Sequence, residues 1–399
     1  MSSLCCRRRS PAGKTPLEDD DLLSEILLRL PPQPSSLPRA SLVCRRWHIA
    51  SDRGFFRRFR RHHRHNPPLL GLFNKEDWGL SFMPTLEAPN RVPPGRFSLH
   101  PGDGDRYMSL GCRHGLVLVF NTTRSQMLVW EPVTGEQHLL AIPPGIATYA
   151  EKTAINGAVR RVGDTHFQVV LTVADNDDKQ HRRALACVYL SETGLWGDLI
   201  STPLPYLSET GLWGDLISSL LQYQVPVSHS VEMSDNPTLV YKGRPAVLAG
   251  DSLYWILVGN FAGILEFDLE KQSLAVIRVP VHMLEEGRYQ FRIMRAEGGG
   301  LGLLFQLDCR FQLWKRNADS DGVASWGLER TIDLDNLLSL NLLSPTILGF
   351  AEENNAVFLW THGAVFMVNL ESLQFKKLFE TNYLPHCHPF ESLYPARHW

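Results

Sequence analysis

The sequence predicts an α+β chain with segregated parts, in which a small N-terminal head of three helices precedes a large all-β body. Helical periodicity is confined to residues 17–60, and from residue 66 onward short β-rich runs alternate with turn residues. The runs recur in units of three or four strands, which predicts a β-propeller. An array of β-sandwiches is the alternative, but the absence of a linker within the body favours one closed structure.

The composition is that of an ordinary globular protein. Of 399 residues, 44% are hydrophobic and 21% are charged, which excludes a wholly disordered chain. No run approaches the roughly 18 apolar residues of a membrane span, and no apolar run follows the arginines at 7–9 as in a signal peptide. The seven scattered cysteines indicate reduced thiols. We therefore expect a cytoplasmic or nuclear protein, or one found in both, with no membrane partner.

Three segments are expected along the chain: a disordered N-terminus over residues 1–15, a helical domain over 16–65 and the β body over 66–399. Charge is divided unevenly between them. Residues 1–65 hold fourteen Lys and Arg against six Asp and Glu, whereas the rest of the chain has an excess of acidic residues. Such asymmetry indicates different partners or roles for the two parts.

The first predicted helix carries Leu22, Ile26 and Leu30 at four-residue spacing. Carboxylates at 18–21 suit its N-terminus, and the two prolines at 31–32 end it. The second helix is predicted to begin near residue 36 or 38 and to carry a continuous apolar stripe formed by Ala40, Val43, Cys44 and Trp47. For the third, Asp52 is the predicted N-cap, and the apolar side chains that follow are Phe55, Phe56 and Phe59.

The head resembles the F-box. Residues 17–32 (LEDDDLLSEILLRLPP) and 39–47 (RASLVCRRW) match that family's leucine-rich first helix ending in Arg-Leu-Pro-Pro and its Leu-Val-Cys-(Lys/Arg)-x-Trp motif. Residues 51–55 (SDRGF) match its Ser-Asp-x-x-Phe element. In the family, this module docks on the Skp-type adaptor of SCF (Skp-cullin-F-box) ubiquitin ligases, and through it on the cullin.

By this resemblance, the candidates for the adaptor-binding surface are Leu22, Leu23, Ile26, Leu27, Leu30, Pro31, Leu42, Val43, Cys44 and Trp47. The alternative is that some of them, Val43 and Trp47 in particular, belong to the internal core of the three helices. Helices this short bury too little surface to be stable alone, and their surplus apolar residues are expected to meet the body or another protein.

Five repeating units are visible in the body, and residues 69–99 are the candidate for a sixth. The units lie at residues 115–140, 167–189, 253–277, 302–314 and 356–378. A strand-like segment at 390–394 lies beyond the last unit. We expect it to pair with the first blade, near residues 69–73 or 97–110, because an end strand that completes the first blade closes the ring and removes an exposed edge.

The body also resembles the associated domain of plant F-box proteins, in which a His-Gly-Leu strand precedes Asn/Asp-Pro-Val-Thr-Gly. Residues 111–115 (GCRHG) and 130–135 (WEPVTG) carry this resemblance, and Trp326 and residues 389–395 also fit it. Within the body, residues 189–201 (YLSETGLWGDLIS) recur letter for letter at 206–218. Because structural repeats diverge, this identity indicates a recent local duplication or a gene-model artefact, and we expect one copy to fill the blade position.

No catalytic, cofactor or metal site is predicted. The Gly-rich residues 298–302 precede a strand, which indicates a tight turn rather than a phosphate-binding loop. The histidines at 62–65 and 386–388 lack a second pair at zinc-ligand spacing. The arginines between 53 and 64 lack interleaved readout residues, so they indicate a solvated helix face rather than a nucleic-acid site.

The leading hypothesis is a substrate-recognition subunit of an SCF-type ubiquitin ligase. The head would bind the Skp-type adaptor, and through it the cullin, while the body recruits an unidentified protein target for ubiquitination. Such a subunit contributes proximity and needs no cofactor. The competing hypotheses are a propeller-fold enzyme, such as a kelch-type oxidase or a glycosidase, and an adaptor-bound scaffold that causes no degradation.

Overall fold

The helices precede the strands, as the sequence predicts. The structure is a computed structural model, and it describes residues 19–76, 78–93, 95–102, 104–150, 154–176, 181–205, 238–241, 244–259, 263–279, 290–307, 309–318, 324–335, 345–361, 363–381 and 387–394. The predicted disordered segment over residues 1–15 lies outside this part of the chain.

Four short helical segments form the head: α1 (Asp20–Leu28), α2 (Ser36–Ser41), a 3-10 helix (Arg46–Ser51) and α3 (Arg53–His62). Their shared core consists of Leu23, Leu27, Leu28, Leu37, Ala40, Ala50, Phe55 and Phe59, joined by Leu393 from the C-terminal segment. The Asp19 carboxylate caps α1 by accepting hydrogen bonds from the backbone N–H groups of Asp21 and Leu22. Asp52 caps α3 through the Phe55 N–H at 2.9 Å, which confirms the predicted N-cap.

The prediction of a second helix continuing through Trp47 is wrong. Helix α2 ends at Ser41 because the Ser41 hydroxyl donates a 2.7 Å hydrogen bond to the carbonyl oxygen of Pro38. That carbonyl would otherwise receive the N–H of Leu42, which instead bonds Arg39 in a tighter turn. The chain therefore leaves the helix at Leu42, and the stripe predicted over residues 40–47 does not form one continuous face.

The body is a β-propeller, as predicted, and its antiparallel sheets form six blades, the candidate sixth unit at residues 69–99 included. Blade one holds β1 (Leu69–Glu76), β2 (Gly79–Pro84) and β25 (Cys387–Glu391). Blade two holds β3 (Tyr107–Arg113), β4 (Leu116–Asn121), β5 (Gln126–Glu131) and β6 (Glu136–Ala141). Helix α4 (Pro144–Ala150) follows. Blade three holds β7 (Asn156–Val162), β8 (His166–Asp175), β9 (Arg183–Leu190), β10 (Leu195–Trp196) and β11 (Ile200–Pro203).

In the other three blades the strands also follow one another in chain order. Blade four holds β12 (Leu239–Val240), β13 (Val247–Ala249), β14 (Ser252–Val258), β15 (Gly263–Asp268) and β16 (Ser273–Arg278). Blade five holds β17 (Gln290–Arg295), β18 (Leu301–Leu307), β19 (Arg310–Ala318) and β20 (Ala324–Asp333). Blade six holds β21 (Thr346–Ala351), β22 (Ala356–Thr361), β23 (Ala364–Asn369) and β24 (Phe375–Glu380). The first strand of each of these blades is the innermost one, and β12 and β13 together form that position in blade four.

Strand β25 closes the ring at the first blade, as predicted, although it spans Cys387–Glu391 rather than the predicted residues 390–394. It pairs antiparallel with β1, so that Gly71 lies opposite Phe390. It also contacts β21 of blade six and β3 of blade two, which places it at the innermost position of blade one. The Phe390 ring is fully buried and packs against Phe73, Phe82 and Phe97. The last strand of the chain therefore joins the beginning and the end of the propeller.

Of the two copies of the duplicated sequence, only the first lies within the described residues. The first copy, residues 189–201, supplies the end of β9, β10 and the start of β11, and both β10 and β11 pair with β9. The second copy, residues 206–218, lies outside the described residues. The Gly-rich segment between β17 and β18 is a tight turn, as predicted, in which Gly298 and Gly299 have φ angles of 81° and 89°.

Candidate functional site

Several large apolar side chains are exposed on the surface of the head. Four of them lie on two segments, helix α1 and the turn that follows α2. Leu22 and Ile26 of α1 are 49% and 38% exposed, and Leu42 and Val43 after α2 are 72% and 62% exposed. We call these four residues the apolar face of the head. Removing these apolar side chains from water would lower the free energy, and the propeller does not cover them.

An ion pair between Arg46 and Asp20 connects the two segments that carry this face. The Arg46 Nη2 lies 2.6 Å from the Asp20 Oδ1, which fixes the start of the 3-10 helix against the N-terminus of α1. Both side chains are largely exposed, so the pair contributes little free energy. It therefore marks a point at which the two segments meet but does not by itself stabilise their arrangement.

The other predicted site residues fall into three groups. Pro31 and Cys44 are exposed, whereas Leu30 and Trp47 are half-buried and pack against the head's core. Leu23 and Leu27 are fully buried in that core, 1% and 0% exposed, so a partner cannot contact them while the head stays folded. Leu23 and Leu27 instead pack the helices that carry the apolar face.

The head lies on one face of the propeller, and side chains of α3 make the junction. Arg60 forms a 3.2 Å ion pair with Glu131, which begins the turn between β5 and β6. Arg61 pairs with the Asp164 carboxylate in the turn between β7 and β8, and Arg60 also donates to the Asp164 carbonyl oxygen at 3.1 Å. The prediction that this arginine run is only a solvated helix face is therefore wrong for Arg60, whose side chain is half-buried against blade two. Arg61 stays largely exposed, as predicted, but it also pairs with blade three.

A cavity of about 70 Å³ lies at this junction, where α3 meets the ends of the innermost strands. Charged side chains from both parts line it, among them Arg60, Arg113, Glu352 and Glu391. Arg113 is 6% exposed and forms a two-pronged ion pair with Glu352 while also donating to the carbonyl oxygen of Ala246. Such a buried pair requires good geometry to offset the desolvation of its charges, which this arrangement provides.

Glu391 and His114 both line the cavity, and both have strongly shifted pKa values. Burial raises the pKa of the Glu391 carboxyl to about 7, although Glu353 and Asn354 donate backbone hydrogen bonds to it. Burial, together with the neighbouring Arg113, lowers the pKa of His114 to about 3. The cavity thus contains a carboxyl group that titrates near neutral pH and an imidazole that stays neutral there.

The face of the propeller opposite the head is formed by different connections. The head contacts the side at which the first strand of a blade turns into the second, since Asp164 lies between β7 and β8. The last strand of each blade ends, and the first strand of the next begins, on the other side. The ion pairs of the head with Glu131 and Asp164 both lie on the first side, and we call the second side the open face.

No helix in the described part of the chain is long and apolar enough to cross a membrane. Among the described residues, no group of three or more His, Cys, Asp or Glu side chains is arranged to hold a metal ion. Of the predicted histidine clusters, His63 is oriented within the head, where its Nε2 lies 2.8 Å from the carbonyl oxygen of Leu28. His386 lies outside the described residues.

Comparison with known protein families gives two matches that follow the division into head and propeller. An F-box-like model matches residues 20–62, and the β-propeller model of the AT5G49610-like F-box proteins matches residues 109–397. The chain belongs to the AT5G49610-like family of F-box proteins. An F-box joined to a β-propeller supports a general role as a substrate receptor, and F-box proteins of this architecture are typically non-catalytic. The F-box supports, in general, binding to a Skp-type adaptor.

Solved structures similar to this F-box protein share little sequence with it, and no curated protein matches it. A nidogen–laminin complex matches with 10% identity and a TM-score of 0.37, over 81% of this chain and 97% of the other. A protein of unknown function from Bacteroides caccae matches with 10% identity and a TM-score of 0.34, over 78% and 93%. Apo AztD from Citrobacter koseri matches with 11% identity and a TM-score of 0.30, over 80% and 97%.

Sequence reasoning did not identify the residues that join the head to the propeller. Glu131 lies within the WEPVTG motif and Asp164 in an ordinary turn, and neither has a spacing that marks it as a partner for α3. The nearest signal is the dense run of arginines in α3 itself, because many like charges on one short helix need carboxylates nearby.

Proposed function

We propose that this F-box protein is the substrate-recognition subunit of an SCF-type ubiquitin ligase. In this proposal the apolar face of the head docks on the Skp-type adaptor, which links the chain to a cullin. The open face of the propeller recruits a protein target, and the ligase works in the cytoplasm, in the nucleus or in both. The chain itself performs no chemistry; it raises the local concentration of the target at the conjugating enzyme.

The observation that carries this proposal is the exposed apolar face on a domain that matches the F-box. Val43 and Leu42 are more exposed than almost any other large apolar side chain in the described residues, yet they lie in a helical head otherwise packed on the propeller. An exposed cluster of this kind is typical of a docking surface. The separation of this surface from the open face supports simultaneous binding of adaptor and target.

Adaptor binding is tested with the double variant Leu42→Asp and Val43→Asp in the full chain, co-expressed with a Skp-type adaptor. Both side chains project into solvent, so the melting temperature should change little. Each lost apolar anchor is worth about 2 kcal/mol, so the double variant should bind the adaptor at least about 100-fold more weakly. The matched control is Leu139→Asp, because Leu139 is 68% exposed on the outer strand of blade two and should leave binding unchanged.

Experiments in cells distinguish the ligase subunit from the two competing functions, a propeller-fold enzyme and a non-degradative scaffold. A ligase subunit is supported over a propeller enzyme if the wild-type chain co-precipitates both adaptor and cullin and the Leu42/Val43 variant does not. Proximity labelling then identifies neighbours of the wild-type chain that are absent with the variant. If those neighbours do not accumulate when the proteasome is inhibited, the chain is a scaffold rather than a degradative receptor.

A further inference from the structure

The centre of the propeller contains two arginines that no carboxylate neutralises among the described residues. Arg244 lies between β12 and β13 of blade four, and Arg292 lies in β17 of blade five. Both donate to the carbonyl oxygen of Ile347 in β21 of blade six, at 3.3 Å and 2.8 Å. Because all three residues come from the innermost layer of consecutive blades, the two guanidinium groups meet around one oxygen atom at the centre of the ring.

A bulge in β21 provides the acceptors for these two groups. The pairing of β21 with β22 shifts register between Ile347 and Gly349, which leaves Leu348 outside the regular ladder. Arg244 reaches the carbonyl oxygens of both Ile347 and Leu348. Asn156 of blade three fixes the Arg244 backbone in turn, because its Nδ2 donates to the carbonyl oxygens of Tyr241 and Arg244 at 2.8 Å and 3.0 Å.

These interactions leave donors unused. Arg292 is 7% exposed, and it uses its two terminal nitrogens on the carbonyl oxygens of Phe291 and Ile347. Its Nε is buried and has no hydrogen-bond partner. A buried N–H without a partner costs free energy, and carbonyl oxygens carry only partial charge, so they do not neutralise two adjacent cations.

The two charges interact unfavourably. Burial, and then the Arg244 charge, hold the pKa of Arg292 well below its ordinary value, and burial lowers that of Arg244 to about 10. Guanidinium groups nevertheless stay protonated in proteins at neutral pH. Two like charges that cannot be discharged and that lie in a region poor in water create a strong positive potential, which attracts an anion.

We propose that the centre of the propeller binds a small oxyanion, such as a phosphate or carboxylate group, between Arg244 and Arg292. Guanidinium groups recognise these anions through pairs of parallel N–H···O bonds, and the unused Arg292 Nε is a donor of that kind. Arg244 is only half-buried, so an anion can approach it. At the head-side end of the ring the cation Arg113 already has Glu352 as its partner, which leaves the Arg244–Arg292 pair as the site in need of a counter-ion.

The test measures binding of inorganic phosphate to the full chain. Phosphate should raise the melting temperature by several degrees over sodium chloride at equal ionic strength, and it should broaden the phosphate ³¹P resonance. Sodium acetate at the same ionic strength shows whether a carboxylate suffices. Arg292→Met and Arg244→Met should each abolish the shift and the broadening, whereas Arg278→Met, at an exposed arginine on β16, should respond as the wild type does.

Several results would overturn the proposal. One is a wild-type melting temperature that responds equally to phosphate, acetate and chloride, as it would if a carboxylate of the chain itself already neutralised the pair. Another is a phosphate response that survives in Arg244→Met. Because Arg244 is half-buried, its replacement is the safer of the two, and it keeps the test decisive if Arg292→Met fails to fold. The binding measurement does not depend on adaptor or target, so it can fail while the proposed ligase role holds.

Discussion

Arg60 and Glu131 join the helical head to the propeller across a distance of 3.2 Å. Glu131 is the shared partner of two arginines, since Arg161 of β7 also pairs with its Oε1. The Glu131 side chain is 11% exposed and that of Arg161 is 13% exposed, so the charges are withdrawn from water. Head and propeller are therefore linked by a partly buried ionic contact, in which Arg60 is 31% exposed, as well as by the apolar packing of Leu393.

Replacing Glu131 by Gln should loosen this junction. The change leaves Arg161 buried without its counter-charge, and loss of one member of a buried pair costs about 3 kcal/mol. We expect a lower free energy of unfolding in urea and faster tryptic cleavage next to Arg61 and Arg64, which lie at the end of α3 and just beyond it. The control is Glu270→Gln at an exposed carboxylate, which should change neither measurement. Equal cleavage of both variants would mean that the ion pair does not hold the head in place.

Closure of the ring predicts a large difference between two phenylalanines. Phe390 is fully buried among Phe73, Phe82 and Phe97, whereas Phe375 on the outer strand of blade six is 50% exposed. Phe390→Ala should cost about 3–5 kcal/mol of stability, and Phe375→Ala less than about 1 kcal/mol. Chemical denaturation followed by tryptophan fluorescence measures both. If Phe390→Ala or truncation after His388 leaves the unfolding midpoint unchanged, the last strand does not close the propeller.

The closing strand was predictable, and the reason lies in its own sequence. Residues 390–394 are strand-like, lie directly after Pro389 and follow the last complete unit, and a strand without a blade of its own has only the first blade to complete. The strand itself begins three residues earlier, at Cys387, and ends at Glu391. The capping of α3 by Asp52 was predictable for a similar reason, because the signal is local. The spacing of strand-forming runs likewise indicates five units and a candidate for a sixth, and the structure shows six blades.

The features that the sequence did not reveal depend on contacts between distant residues. The end of α2 involves a hydrogen bond from the Ser41 hydroxyl to the carbonyl oxygen of Pro38. The sequence alone does not indicate whether a serine hydroxyl within a helical pattern will bond to the backbone. Arg60 and Arg292 are each one arginine among many in the sequence, and only the fold shows that one meets Glu131 and the other Arg244.

The raised pKa of the buried Glu391 carboxyl predicts that the stability of the protein depends on pH. Its pKa is about 7 in the folded protein because the carboxyl is buried, whereas an unfolded glutamate has a pKa of about 4.3. Between these two pH values the folded state holds a proton that the unfolded state has released. The free energy of unfolding should therefore fall as the pH rises from about 4.5 to about 7, by about 3 kcal/mol, and should show no further contribution from this group above pH 7.

The variant Glu391→Gln isolates this contribution, because it keeps one oxygen to accept the hydrogen bonds of Asn354 and cannot release a proton in this range. Urea denaturation of wild type and variant at about pH 5 and about pH 8 should give a difference that favours the variant only at the higher pH. Parallel curves would assign the titration to another group, such as Glu353, whose pKa burial also raises.

The duplicated segment predicts that seventeen residues can be removed without cost. Deleting residues 190–206 joins Tyr189 to Leu207, so that the second copy takes the positions of the first in β9, β10 and β11. The match continues beyond the identical letters, because the buried Leu204 is replaced by Leu221 at the same spacing. A longer connection changes the free energy of closing a loop only slowly, so the melting temperature should stay within about 2 °C of the wild type. A fall of more than about 10 °C would show that both copies are needed to build blade three.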